Sequence, residues 1–155
     1  MSQKAQHPDD FANRFDSAFA SLQVAVLDAC RREGEWPDRV GAAIAATLDL
    51  AAADPTAART LVIEAKYHPD DEGRRYRRMV DYFAELLGVG APRDFPRPAI
   101  TEEAMIGALA AAIVDALYAD RLDRLRGSAS DLVEFVLIPY LGIEDAKARA
   151  QRRRL

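Results

Sequence analysis

The chain is poor in the residues that usually do chemistry. Its 155 residues include one cysteine, Cys30, so no disulfide can close within the chain and a reducing compartment is expected. Of two histidines, His7 and His68, each precedes Pro-Asp-Asp and neither has a second ligand at helical spacing. Helix-start chemistry accounts for both copies, and no metal site is expected. There is no GxSxG, no glycine-rich phosphate loop and no HExxH. With no acid, base or nucleophile constellation, neither an enzyme nor a cofactor is expected. A basic excess is missing as well: the formal net charge is −4 and the sequence pI is about 5.2. Domains that grip nucleic acid unaided are usually basic. The opening "MSQKAQHPDD" lacks the apolar stretch of a signal peptide. The longest apolar run, "AMIGALAAAIVDALY" at 104–118, is broken by Asp115 and falls short of the ~20 residues of a membrane span. These absences predict a cytoplasmic protein without membrane contact.

What the chain has is alanine and helical periodicity, with no alternating strand pattern. Fold class is therefore all-α, a single domain of about six helices. The first is predicted from Pro8 to about Arg32, with Phe11, Phe15, Phe19, Leu22 and Val26 on one stripe. The second starts at Pro37 and stops near Asp54, presenting Val40, Ile44, Leu48 and Ala51. A short third follows, with Asp54 as N-cap and Ala58, Leu61, Val62 and Ala65 inward. The fourth carries Tyr76, Met79, Val80, Phe83, Leu86 and Leu87, with Arg74, Arg75, Arg77 and Arg78 near its start, and ends at Gly88 and Gly90. "EGRRYRR" reads as the wet side of this helix or as an anion site. "APRDFPRPAI" predicts an extended loop. The fifth helix runs from Thr101, its N-cap, to about Ala119. "DRLDRLRGSAS" reads as a polar turn. The sixth, "DLVEFVLIPYLG", is capped by Ser128 or Ser130 and closed by Gly142. Residues 1–8 are expected to be a flexible start and 147–155 a basic tail.

The fifth and sixth helices are apolar nearly all round, whereas a surface helix normally hides one stripe. Between residues 132 and 141 only Glu134 is charged. Two arrangements would bury such helices: the centre of a monomeric bundle, or a four-helix bundle shared by two copies about a two-fold axis. Gly107, Ala108, Ala111, Ala112 and Ala116 thin one face of the fifth helix. Ile106, Leu109, Ile113 and Leu117 give bulk beside it. The thin face suits the close approach of another backbone, and a homodimer is expected. The candidate lining of a ligand pocket is aromatic and thioether: Phe15, Phe19, Met79, Tyr82, Phe83 and Met105. Core filling is the alternative role for each.

Taken in order, "FDSAFASL", the stretch from Trp36-Pro37 through Asp54-Pro55-Thr56-Ala57-Ala58-Arg59, "AMIGALAAAIVDAL" and "DLVEFVLIPYLGIEDA" resemble the C-terminal regulatory domain of TetR-family transcriptional repressors over about Asp9–Ala146. The resemblance implies an all-helical domain that binds a small apolar or amphipathic ligand. It also implies that the last two helices hold a homodimer, here around Ile113, Leu117, Leu132, Phe135, Val136 and Tyr140. The family's helix-turn-helix DNA-binding domain has no counterpart here, so DNA contact is expected only through such a domain outside this chain. The chain would then be a separated regulatory domain, or a ligand binder that forms mixed dimers with a complete repressor. A stand-alone helical interaction module with a filled core is the alternative function.

Overall fold

A computed structural model describes residues 8–153. His7 and most of the expected flexible start lie outside the described residues. All regular structure among the described residues is helical: α1 (Pro8–Arg31), α2 (Trp36–Ala53), α3 (Pro55–Arg59), α4 (Ala65–Tyr67), α5 (Arg74–Gly88), α6 (Thr101–Ala119), α7 (Leu122–Gly127), α8 (Ala129–Leu141) and α9 (Ile143–Arg152). A π-helical turn, Thr60–Glu64, joins α3 to α4. No helix is long and apolar enough to cross a membrane among the described residues.

Stripe and breaker chemistry explain the main elements. Along α1, Phe11, Phe15, Leu22 and Val26 are buried, and each contributes about 1.5–3 kcal/mol relative to exposure. Gly34 lies in the turn into α2, which packs back along α1 and buries Val40, Ile44, Leu48 and Ala51. Asp54 caps α3 through its carboxylate, which accepts from Ala57 N–H at 3.0 Å. The buried Asp71 carboxylate accepts from Arg75 N–H at 2.9 Å and from its guanidinium at 2.7 Å, so the second Pro-Asp-Asp does serve a helix start. Asp120 ends α6 in the left-handed region (φ 53°). Arg121 N–H returns to Ala116 O at 2.8 Å, a Schellman closure made without glycine.

Several expectations need correction. Thr101 does not cap α6 with its side chain; its hydroxyl instead donates to Pro98 O at 2.7 Å, tying the proline-rich loop to the helix. Of the two predicted serines, Ser128 holds the N-cap position of α8, but its side chain makes no cap bond, and its hydroxyl donates back to Arg124 O. "DRLDRLRG" holds the helix α7 rather than only a turn, with Leu122 and Leu125 half-buried against α2 and its neighbours. The expected basic tail is helix α9 as far as Arg152. It folds back at Gly142 (φ 80°) and buries Ala146 and Ala150 against α8 and α2. Its arginines reach the start of α2: Arg149 pairs with Glu35 at 2.6 Å and Asp38 at 3.7 Å, while Arg153 pairs with Glu33 at 3.8 Å and donates to Asp38 O at 3.1 Å. Gly41 makes room for this docking, since a Cβ there would lie 2.5 Å from Arg153 Cδ.

Candidate functional site

Alanine sets the shape of the interior. Ala18 on α1, Ala43 and Ala51 on α2, Ala57 and Ala58 on α3 and Ala110 on α6 all face one space. Side chains that short leave it unfilled, as a cavity of about 1000 Å³. Protein interiors ordinarily close to crystal-like density, with few voids larger than a water molecule. Ligand pockets occupy roughly 300–1,000 Å³, so this cavity is at the large end of that range. Its bulkier wall is Leu22, Val26, Val40, Ile44, Leu61, Val62, Met79, Phe83, Leu86, Ile106, Leu109 and Ile113, with Val136 from α8 behind.

Of the six residues expected to line a pocket, Met79 and Phe83 do so; Phe15, Phe19, Tyr82 and Met105 do not. Phe15 is fully buried in packed core, its ring between those of Phe11 (6.3 Å between centroids) and Phe19 (5.8 Å). Phe19, Tyr82 and Phe83 pack edge to face at 5.0–6.0 Å, so two of these rings are used up in the contact that holds α1 to α5. Met105 is half-buried and packs against the core. Sequence reasoning missed the aliphatic and alanine wall of α2 and α3, although Val40, Ile44, Leu61 and Val62 had been placed facing inward.

The π-helical turn builds part of the wall, contributing Thr60, Leu61 and Val62. Such turns widen a helix locally and recur at functional sites. Thr60 is almost wholly buried, and its hydroxyl donates to Thr56 O at 3.2 Å. Beside it the Glu64 carboxylate pairs with Arg14 at 2.7 Å. Asn13, Ser17 and Ser21 on α1 add a hydroxyl- and amide-bearing rim at this end.

At the other end of α1 the wall is formed by Cys30, Arg31, Glu33, Trp36 and Arg39. Burial pushes the Cys30 thiol up, against the lowering pull of the Arg39 guanidinium. Its Sγ lies 3.7 Å from Arg39 O. The Trp36 indole N–H donates to Leu87 O at 3.0 Å, locking α2 to the end of α5. Behind Trp36 stands Tyr140 of α8, and the Arg97 guanidinium caps that phenol ring at 4.4 Å. Arg97 in turn pairs with Glu102 at 3.0 Å and donates to Pro92 O at 2.9 Å, so one arginine fastens the proline-rich loop to α6 and α8.

The six residues expected at a dimer interface divide. Ile113, Leu117, Val136 and Tyr140 are buried in the chain's own core and are not on its surface. Leu132 is half-buried, and Phe135 is 47% exposed. Tyr118, which the sequence did not single out, is 69% exposed on α6, and the position of a Cβ at Gly107 is open space. The first four are covered by the chain's own helices, as are Ala110, Ala116, Val133 and Leu137, while Tyr118 and Phe135 stay outside.

His68 stacks on Phe11 with centroids 4.1 Å apart, and its buried Nδ1 has no hydrogen-bond partner among the described residues. Arg74, Arg77 and Arg78 of "EGRRYRR" are exposed, Arg77 lying 3.6 Å from Glu103. Among the described residues no group of three His, Cys, Asp or Glu could hold a metal ion. Compared with protein-family models, with curated proteins and with solved structures, the chain matches none.

Proposed function

We propose that the chain is the small-molecule-sensing and dimerisation domain of a TetR-like transcriptional regulator, as its sequence resemblance implies. The observation that carries this reading is the apolar cavity of about 1000 Å³ between α1, α2, the segment 55–67, α5 and α6. A packed interaction module has no use for such a space, and leaving it empty sacrifices the dispersion contacts of its walls. The outward apolar side chains of α6 and α8, Tyr118 and Phe135, support a homodimer built on those helices. Any DNA contact in this reading belongs to a domain outside these 155 residues.

Ligand would act by differential affinity for two arrangements of the helices. A thermal-shift screen of apolar and amphipathic compounds tests the sensing role. Binding only to the folded form raises the melting temperature, by an amount that grows with ligand concentration. A panel that leaves the melting temperature unmoved would refute the reading.

A further inference from the structure

Shape and charge of the cavity specify more than apolarity. Its wall follows α1 from Asn13 to Arg31, a reach of about 27 Å of helix. The space is therefore extended along α1, with lining residues at both ends of that helix.

Charge is distributed unequally between its ends. Near Asn13, the Arg14 guanidinium is already paired with Glu64 at 2.7 Å and Asp10 at 3.3 Å. Near Trp36, Arg39 is half-buried and donates to Gly34 O at 2.7 Å, and it has no carboxylate partner among the described residues. The acids close to it in sequence are engaged elsewhere: Arg149 of α9 and Arg153, just past its end, hold Glu33, Glu35 and Asp38. A guanidinium without a carboxylate partner among the described residues thus sits at one end of an extended apolar space.

We infer that this site takes a long, unbranched amphiphile bearing one anionic head group, with the head at Arg39 and the tail along α1. This rests on the ligand-binding reading above and deepens it. A carboxylate is the simplest such head, since a guanidinium can donate two parallel hydrogen bonds to it.

The test compares hexadecanoic acid, hexadecanol, hexadecyltrimethylammonium and octanoic acid below their aggregation limits. Binding is followed through Trp36, the sole tryptophan and part of the wall, and by calorimetry. Hexadecanoic acid should bind tightest, and Arg39→Gln should weaken it about tenfold while leaving hexadecanol unchanged. Arg39→Lys should restore most of the loss, which separates charge from a folding defect. Equal binding of acid, alcohol and ammonium, or an acid affinity unmoved in Arg39→Gln, would overturn the head-group assignment while leaving the cavity reading standing. Octanoic acid binding as tightly as hexadecanoic acid would overturn the long tail. Failure of all four probes to bind would overturn both readings.

Discussion

The indole of Trp36 packs on the phenol of Tyr140 with ring centroids 4.8 Å apart and planes inclined at 55°. Trp36 belongs to the cavity wall and Tyr140 to α8, so this contact joins the space where a ligand would sit to a helix proposed for the dimer. The α2 and α8 helices also pack directly on one another. Replacing Trp36 by alanine removes that ring and the indole bond to Leu87 O. The expected cost is about 3–5 kcal/mol, measured by denaturant unfolding. If binding and dimerisation are coupled here, Trp36→Phe should retain the fold and weaken the effect of ligand on self-association.

Tyr140 itself provides a pH test. Burial first, then the Glu102 carboxylate, push its pKa from about 10 up to about 12, with Arg97 pulling the other way. The folded state therefore holds this proton more tightly than the unfolded chain. The associated stability is fully present below pH 10 and is lost as pH rises through 12, a change of about 2–3 kcal/mol. In Tyr140→Phe that loss is absent, so the stability difference between wild type and variant should fall by this amount over the window. Near neutral pH the variant should differ little from wild type, because the buried hydroxyl interacts with Glu102 and Arg97 but makes no hydrogen bond of ordinary geometry among the described residues.

The two halves of the expected interface should respond differently to charge. Leu117→Asp places a carboxylate in the subunit's own core and should abolish folding, read as loss of helical circular dichroism. Phe135→Asp changes a half-exposed side chain and should leave the subunit folded, but monomeric by sedimentation. A folded dimer after the second change would count against a dimer built on α8.

Gly107 gives a finer probe of the same face. A Cβ there meets nothing within 4 Å in the single chain. Alanine in the helix interior should therefore stabilise the subunit by about 1 kcal/mol. If a partner backbone approaches at this point, Gly107→Ala should weaken dimerisation while raising subunit stability.

Long periodic segments were legible in the sequence because their burial is written in large side chains. The α1 stripe from Phe11 to Val26 and the α2 stripe from Val40 to Ala51 are examples. By contrast, α9 was not legible as a packed element because its buried face is Ala146 and Ala150, which read as neutral. The signals that could have found it are those alanines four apart, Glu144 and Asp145 in the first turn and Arg149 and Arg152 in the last. In α7, only Leu122 and Leu125 stand among charges. The π-helical turn has no sequence signature at all.

Site residues were harder to read for a related reason. Periodicity tells which way Phe15 and Met79 face, yet not whether the space in front of them is full. Phe15 meets two other rings and is closed in, while Met79 faces alanines too short to reach it. The same limit applies to Ile113 and Tyr140. An apolar helix face in the sequence does not say which of its sides the chain itself will cover.

The cavity is the claim on which the rest depends, and a titration with Nile red tests it most directly. Saturable binding at one dye per chain in wild type is expected, with binding lost in Ala110→Trp, whose indole would occupy the space, while that variant still unfolds cooperatively. Absence of saturable binding in folded wild type, or equal binding in the filled variant, would contradict the account.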